Sequence, residues 1–267
     1  MATFDIEVDG GTLFGVDQGN GLPVVFLHAG VCDHRMWGPQ FEALDDNIHA
    51  IAYDRRGYGE TVSENVEFSE LEDLSAVLDH FDIRAAVLVG CSMGGGLAID
   101  YAIANPDRVA GMVLVGSALS GAPDFELPEE LNPVLQAEEL AREMGDMDML
   151  NKVQAHEWLD GPTQQSGRVG GAVRELFLDM NSNALNKPKL ELEIYPPSAT
   201  PELTNIAQPA LLVCGDLDFP DIIENHRILE EELVNSVSII IEGTAHLPNL
   251  ERPDLFNPFL SEFLSSY

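Results

Sequence analysis

The stretch AAVLVGCSMGGGLAIDYA (residues 85–102) decides the fold. Its first part, residues 85–91, is apolar throughout, which is typical of a parallel strand covered by helices on both faces. The second part has the composition of a helix built from small residues. Ser92 lies at the junction, between Gly90 and Gly94. A serine at a sharp strand-to-helix turn is typical of a nucleophile, because the turn exposes its hydroxyl and glycine neighbours avoid clashes.

Strand-like runs and helical stripes alternate on both sides of this stretch. Candidate strands are residues 3–8, 12–17, 23–28 and 49–54 before it and residues 109–117, 209–216 and 237–243 after it. Helical stripes occupy residues 70–81, 222–233 and 255–264. Buried strands that alternate with helices build βαβ units. We therefore predict an α/β fold with a mostly parallel, eight-stranded sheet and helices on both faces.

Residues 120–200 interrupt the alternation. They carry several helical stripes, with prolines before and after them, and no buried strand pattern. We predict that this segment is a helical cap over the mouth of the sheet, inserted into a core domain formed by residues 1–119 and 201–267. The alternative is a peripheral helical excursion that has no role in binding.

A serine nucleophile needs a base beside it and a carboxylate that orients the base. His246 follows the last predicted strand and precedes the last helix, which places it at the same edge of the sheet as Ser92. The run VCGDLDFPD offers Asp216, Asp218 and Asp221 directly after a buried strand. We predict that Asp218 is the acid, since it lies further into the loop than Asp216, the second choice.

Two more segments complete a resemblance to the α/β-hydrolase family. FLHAGVCDHRMW (residues 26–37) looks like the oxyanion loop of that family, and YDRRGYGET (residues 53–61) looks like its D-x-R-G-x-G stretch. The chain departs from the usual pattern at Ala29, where glycine is common. The resemblance covers nearly the whole chain outside the predicted cap, and it implies the α/β-hydrolase fold.

The resemblance also implies a serine hydrolase that uses neither a metal nor an organic cofactor. The implied triad is Ser92, Asp218 and His246, and the backbone N–H groups of Gly30 and Met93 would bind the oxyanion. We further expect four side chains to line the substrate pocket: Val31, Trp37, Trp158 and Leu247.

Within the family, the serine elbow and the cap are most similar to those of carboxylesterases, 3-oxoadipate enol-lactonases and cofactor-free haloperoxidases. We therefore expect cleavage of an ester, a lactone or a related small substrate. The first alternative is a carbon–carbon bond hydrolase with the same triad, for which Arg35, Arg168 and Arg174 are the available cations. The second alternative is a non-catalytic ligand-binding member, whose signature would be a missing triad residue.

Composition argues against several other classes of partner. The chain carries 46 acidic and 13 basic residues, a formal charge of −33, which repels phosphate backbones and anionic membranes. No apolar run approaches the roughly 18 residues of a membrane span, and the first residues do not resemble a signal peptide. We therefore expect a soluble, cytoplasmic protein that binds a small molecule, as a monomer or a dimer, with neither nucleic acid nor membrane as partner.

The three cysteines, Cys32, Cys91 and Cys214, are scattered and form no CxxC pair. We expect them to be reduced thiols. Cys91 precedes the serine, and the alternation of the strand turns its side chain away from the reacting hydroxyl. We predict that Cys91 packs in the core and does not react.

We expect the protein to be halophilic, because its excess negative charges repel one another in the folded state. Molar salt shortens the Debye length to about 3 Å and screens that repulsion. The melting temperature should therefore rise as KCl is increased to molar concentration, as thermal unfolding would measure. A melting temperature that does not change with salt would instead indicate an ordinary acidic protein.

Overall fold

The computed structural model describes all 267 residues, Met1–Tyr267, with one sheet at the centre. Its strands are β1 (Ala2–Val8), β2 (Gly11–Gln18), β3 (Leu22–Leu27), β4 (Ile48–Tyr53), β5 (Val62–Ser63), β6 (Ala86–Cys91), β7 (Val109–Val115), β8 (Ala210–Gly215) and β9 (Ser236–Ile241). Its α-helices are α1 (Gly38–Ala43), α2 (Glu70–His80), α3 (Met93–Ala104), α4 (Asn132–Met144), α5 (Met147–Gln154), α6 (Gly171–Leu185), α7 (Pro220–Glu232), α8 (Pro248–Glu251) and α9 (Pro253–Leu264).

The strands lie in the order β1-β2-β4-β3-β6-β7-β8-β9. The first two strands pair antiparallel with each other, β2 pairs antiparallel with β4, and all pairs from β4 to β9 are parallel. Because parallel strands end at the same edge, the residues that follow β3, β6, β7, β8 and β9 come together there. The mostly parallel α/β architecture is as predicted.

The sheet has nine strands and not the eight that we predicted. The additional strand, β5, contains only Val62 and Ser63 and pairs with the start of β2. Two residues are too short to show an alternating pattern. The eight predicted strands are all present, and their ends differ from the prediction by no more than two residues.

Most of the core lies in two clusters of nearly equal size, one on each face of the sheet, and a third cluster of 5 residues is much smaller. Along β3, Val25 and Leu27 belong to one cluster, whereas Val24 and Phe26 belong to the other. This division follows from the two-residue period of a strand. It explains why the sequence of β3 is apolar at every position, and the same holds for β6.

Three α-helices, α4 to α6, lie between β7 and β8, where a helical cap was predicted. The chain leaves α5 through a π-helical turn, Ala155–Asp160. π-helical turns are rare in proteins, and those that occur often lie near functional sites. None of the helices in the structure combines the length and the apolarity that a membrane span needs.

Candidate active site

Ser92 occupies the turn between β6 and α3 in a conformation that is unusual for a residue with a side chain. Its φ is 55° and its ψ is −119°. Its N–H donates to Val115 O at 2.9 Å, and its carbonyl accepts from Ala118 N at 3.0 Å. These bonds attach the turn to the end of β7. Strain of this kind is retained where the surrounding structure requires it, and it concentrates at functional sites.

The glycines around Ser92 are required by close backbone contacts. A Cβ atom on Gly90 would lie 2.3 Å from Gly94 O, and one on Gly94 would lie 2.2 Å from Leu27 O. Both distances are far below a permitted contact, so any larger residue would push α3 away from β3 and β6. The expectation that the turn needs glycine neighbours therefore has a direct steric cause.

His246 and Asp218 form a buried pair over the end of β7. His246 Nδ1 lies 2.8 Å from Asp218 Oδ2 and 3.1 Å from Oδ1, and both side chains are almost fully buried. A Cβ atom on Gly116, at the end of β7, would lie 3.1 Å from Asp218 Oδ2 and 3.2 Å from His246 Nδ1. Gly116, whose φ is +48°, therefore leaves space for the pair.

The geometry separates the two candidate acids. Asp216 is exposed, and its carboxylate accepts from Gly243 N at 2.6 Å, so it stabilises the loop after β9. Asp218 is 5% exposed, and its Oδ1 also accepts from Phe219 N at 2.8 Å. Asp218 is thus oriented by its own loop and lies against His246.

Gly30 and Met93 lie side by side. A Cβ atom on Gly30 would lie 2.5 Å from Met93 Sδ, so a larger residue there would have to displace the Met93 side chain. One residue comes from the loop after β3 and the other from the first turn of α3. The two residues that were expected to supply oxyanion donors are therefore neighbours at the carboxyl edge of the sheet.

His28 connects this loop to the loop after β4. Its Nδ1 lies 2.8 Å from Ala29 O, and its Nε2 lies 3.0 Å from Arg55 N, which donates to it. Burial, with a further contribution from Arg55, lowers the pKa of His28 to about 3. A neutral ring with a proton on Nδ1 satisfies both contacts, so His28 holds the loop without charge.

Asp33, His34 and Asp54 are the one group whose ligand atoms lie close enough together to hold a metal ion, within 4.8 Å of one another. Their atoms already have partners. Arg35 binds both carboxylate oxygens of Asp33, and Asp54 accepts from His34 and from Glu60 N. These hydrogen bonds therefore connect the loop after β3 to the loop after β4.

Trp158, in the π-helical turn, packs against His246, the predicted base. The Trp158 ring lies 4.6 Å, centroid to centroid, from the His246 ring and 4.6 Å from that of Phe219. Trp158 thus covers one face of the imidazole. The segment between β7 and β8 therefore supplies a side chain that packs on His246.

Two of the four side chains expected to line a substrate pocket lie in the core. Trp37 and Leu247 are fully buried in the core, and Trp37 packs on Phe26 at 5.2 Å between ring centroids. Neither residue lines the oxyanion-side cavity described below, and a pocket role for them stays a prediction. Their neighbourhood in the sequence did not reveal which way they face.

The other two lie near the site. Trp158 contacts His246, and Val31 lines a cavity of about 290 Å³, the oxyanion-side cavity. Gly30 and Met93 line the same cavity from the core. Its opposite wall includes Gln154 and Asn181 from α5 and α6.

The three arginines named for a carbon–carbon hydrolase are occupied elsewhere. Arg35 pairs with Asp33 and Asp179, and Arg174 pairs with Asp160. Arg168 donates to three backbone carbonyls, including Gly243 O at 2.9 Å, and pairs with Glu251. These arginines tie loops together and do not line the oxyanion-side cavity, so their proposed role is not supported.

Cys91 is fully buried, in agreement with its predicted position in the core. Its Sγ lies 3.7 Å from His246 O, so the elbow and the histidine loop are in contact. Burial raises the pKa of the Cys91 thiol well above its usual value. A thiol that stays protonated and has no access to solvent is inert.

Comparison with known proteins supplies the family. Residues 24–259 match the sequence pattern described as the Alpha/beta hydrolase family. The chain belongs to this family. The resemblance inferred from the elbow and the two loops is thereby confirmed, and so is the fold.

Two curated relatives cover nearly the whole α/β-hydrolase chain. One is a putative 2-succinyl-6-hydroxy-2,4-cyclohexadiene-1-carboxylate synthase of Bacillus subtilis (strain 168), 27% identical over 100% of both chains. The other is 3-oxoadipate enol-lactonase 1 of Acinetobacter baylyi (strain ATCC 33305 / BD413 / ADP1), 24% identical over 92% of this chain and 90% of the relative. Among solved structures, an esterase from Rhodococcus sp. ECU1013 is 25% identical, with a TM-score of 0.78 over 100% of this chain and 99% of its own.

One buried group of this α/β hydrolase was not singled out by its sequence. Glu157, in the π-helical turn beside Trp158, is 1% exposed, and neither of its carboxylate oxygens has a hydrogen-bond partner. Burial raises the pKa of Glu157 to about 8, and Glu138 adds to the effect against an opposing contribution from Arg142. The carboxyl group is therefore protonated at neutral pH.

We expect Glu157→Gln to stabilise the protein at pH 8 and to have little effect near pH 5. Above its unfolded pKa the unfolded chain releases this proton while the folded chain keeps it, so wild-type stability falls as pH rises toward 8. Glutamine does not titrate, so the variant should gain about 1–3 kcal/mol at pH 8. Urea unfolding at several pH values would measure the difference.

The control for this prediction is Glu139→Gln, which removes a carboxylate from the exposed side of α4. Its stability should follow the wild-type pH profile. If the Glu157→Gln profile were also parallel to that of the wild type, Glu157 would ionise normally and the burial argument would be wrong.

Proposed function

We propose that this α/β hydrolase is a serine hydrolase that cleaves a carboxylic ester, a lactone or a related small substrate through an acyl-enzyme on Ser92. The observation that carries the proposal is the arrangement at the carboxyl edge of the sheet. Ser92 stands at φ 55° on the strand-to-helix turn, and the buried His246–Asp218 pair lies over the adjacent end of β7. The esterase and enol-lactonase names among the similar proteins support the same reading.

The proposed reaction begins when Ser92 Oγ attacks the carbonyl carbon and His246 takes its proton. Asp218 holds Nδ1 of the imidazole, so that Nε2 is free to act as the base. The alcohol then leaves with the proton from His246, and the acyl group stays on Ser92. Water, activated by the same histidine, attacks the acyl-enzyme and releases the acid.

The oxyanion would be bound by the N–H groups of Met93 and Gly30. Met93 is the first residue of α3, so its N–H has no partner within the helix and points out of its N-terminus. Donors of this kind contribute about 3 kcal/mol each in related sites. Gly30 lies next to Met93 on the opposite loop, which is the position that a second donor requires.

A panel of substrates tests the proposal. It would contain p-nitrophenyl esters of rising chain length, an enol-lactone and a diketone acid. We expect turnover of the esters or of the lactone. Exclusive cleavage of the diketone would favour the carbon–carbon hydrolase, and binding of these compounds without any turnover would favour the non-catalytic alternative.

A further inference from the structure

Basic side chains are concentrated around one cavity of this acidic protein. Four of the 13 basic residues line the oxyanion-side cavity, against two of the 46 acidic residues. The basic residues are Arg56, Arg142, Lys187 and Lys189. The wall of this cavity is therefore positive on a body with a formal charge of −33.

Two of these cations form no ion pair with a carboxylate. The chain has only three lysines, and neither Lys187 nor Lys189 takes part in an ion pair. Lys187 Nζ donates to Tyr58 O at 3.0 Å and to Thr61 O at 2.8 Å. An ammonium group has three donors, so one N–H of Lys187 remains for a ligand.

Two acids, Glu70 and Glu193, also lie in the cavity wall. Both carboxylate oxygens of Glu70 accept from Arg55 Nη1, at 3.0 and 2.9 Å. Burial raises the pKa of Glu193, and nearby Glu70 adds to the effect. Burial also lowers the pKa of Lys187, against opposing contributions from Asp54, Asp33 and Glu60. Arg56 and Arg142, by contrast, are paired with Asp73 and Glu138, which leaves the two lysines as the free cations.

The cavity is continuous with the proposed site, because Gly30 and Met93 are part of its wall. A carbonyl group bound by their N–H groups would place the rest of the substrate at or in this cavity. The polar side chains of Gln154 and Asn181 face it from α5 and α6. An apolar acyl chain would leave Lys189 and the third N–H of Lys187 without a partner, whereas a carboxylate would satisfy both.

We propose that the substrate carries a carboxylate in addition to the bond that is cleaved, and that Lys187 and Lys189 bind this carboxylate in the oxyanion-side cavity. The inference rests on the proposed function and narrows its substrate to anionic esters or lactones. The negative body repels such a substrate at long range. A local pair of unneutralised lysines is what an enzyme of this charge needs to bind it.

The test compares the p-nitrophenyl hemiesters of adipate and pimelate with their neutral methyl p-nitrophenyl diesters, at one fixed ionic strength. We expect wild-type kcat/KM to be higher for each hemiester than for its neutral partner. Lys189→Gln should lower this ratio about tenfold, mainly through KM, because a charge-assisted contact is lost. Lys189→Arg should retain most of the preference.

Lys152→Gln is the matched control. Lys152 is the third lysine of the chain and lies at a different cavity, on α5, so the variant removes the same charge and should behave as wild type. Free adipate should also inhibit neutral-ester hydrolysis more strongly in the wild type than in Lys189→Gln.

Two results would overturn the inference while leaving the proposed function intact. One is a wild-type enzyme that turns over the neutral diesters as fast as the hemiesters, and the other is an equal loss of preference in Lys189→Gln and Lys152→Gln. Absence of all turnover, together with absence of covalent labelling at Ser92, would instead contradict the proposed function itself.

Discussion

Replacement of Ser92 by alanine should abolish both covalent labelling by a fluorophosphonate probe and hydrolysis. The probe forms a bond to a serine only when a base removes the hydroxyl proton, and Ser92 follows Cys91, whose Sγ lies 3.7 Å from His246 O. We expect kcat to fall by at least about 10⁴-fold, as in triads that have lost their nucleophile. Intact-protein mass spectrometry would measure labelling, and circular dichroism would show that the fold is retained.

Cys91→Ala is the matched control for this experiment. It changes the residue next to the proposed nucleophile, but it removes only a fully buried thiol. The variant should still be labelled at Ser92 and should keep its esterase activity. Full activity in Ser92→Ala, or a label found on another residue, would show that the nucleophile had been assigned wrongly.

Replacement of Asp218 by asparagine should lower kcat by about 10⁴-fold with little change in the fold. The amide would present an N–H to His246 Nδ1 and would favour the tautomer in which Nε2 carries the proton, so the ring could no longer accept one from Ser92. Asp218 Oδ2 lies 2.8 Å from His246 Nδ1, so a change at residue 218 acts directly on the tautomer of the imidazole. Initial rates on a p-nitrophenyl ester would measure it.

Asp216→Asn separates the two acids that follow β8. Asp216 accepts a hydrogen bond from Gly243 N and is exposed, so its replacement should affect the rate only slightly. A large loss in Asp216→Asn and a small one in Asp218→Asn would reverse the assignment. The variant that combines Ser92→Ala with Asp218→Asn should be no slower than Ser92→Ala alone, since residues that act as a unit give non-additive losses.

The strands could be predicted because burial on both faces imposes a uniform apolar sequence. In β6, all six residues are buried, and each is apolar or glycine. The two-residue β5 could not be predicted, because its pairing with β2 depends on where the chain turns after β4 and not on its own side chains. Periodicity identifies long elements, and contacts between distant segments decide short ones.

The sequence also did not predict which way the side chains of loop residues point. Trp37 and Leu247 lie close in sequence to the oxyanion loop and to His246, yet both side chains point into the core. The sequence offered three arginines as cations for a carbon–carbon hydrolase: Arg35, Arg168 and Arg174. Each of them binds carboxylates or backbone carbonyls in the structure. A list of charged residues does not distinguish an arginine that ties loops together from a lysine with no ion pair.

The sequence by itself determined the architecture, the family and the candidate nucleophile, because local steric and hydrophobic requirements leave a mark on neighbouring residues. The glycines around Ser92 are an example, since backbone contacts of 2.2 to 2.3 Å would form with any larger residue. Only the tertiary structure decided the distance from Asp218 to His246, the position of Trp158 over the imidazole and the positive cavity beside Gly30. These features join segments far apart in the chain, and no short-range pattern records the geometry of such contacts.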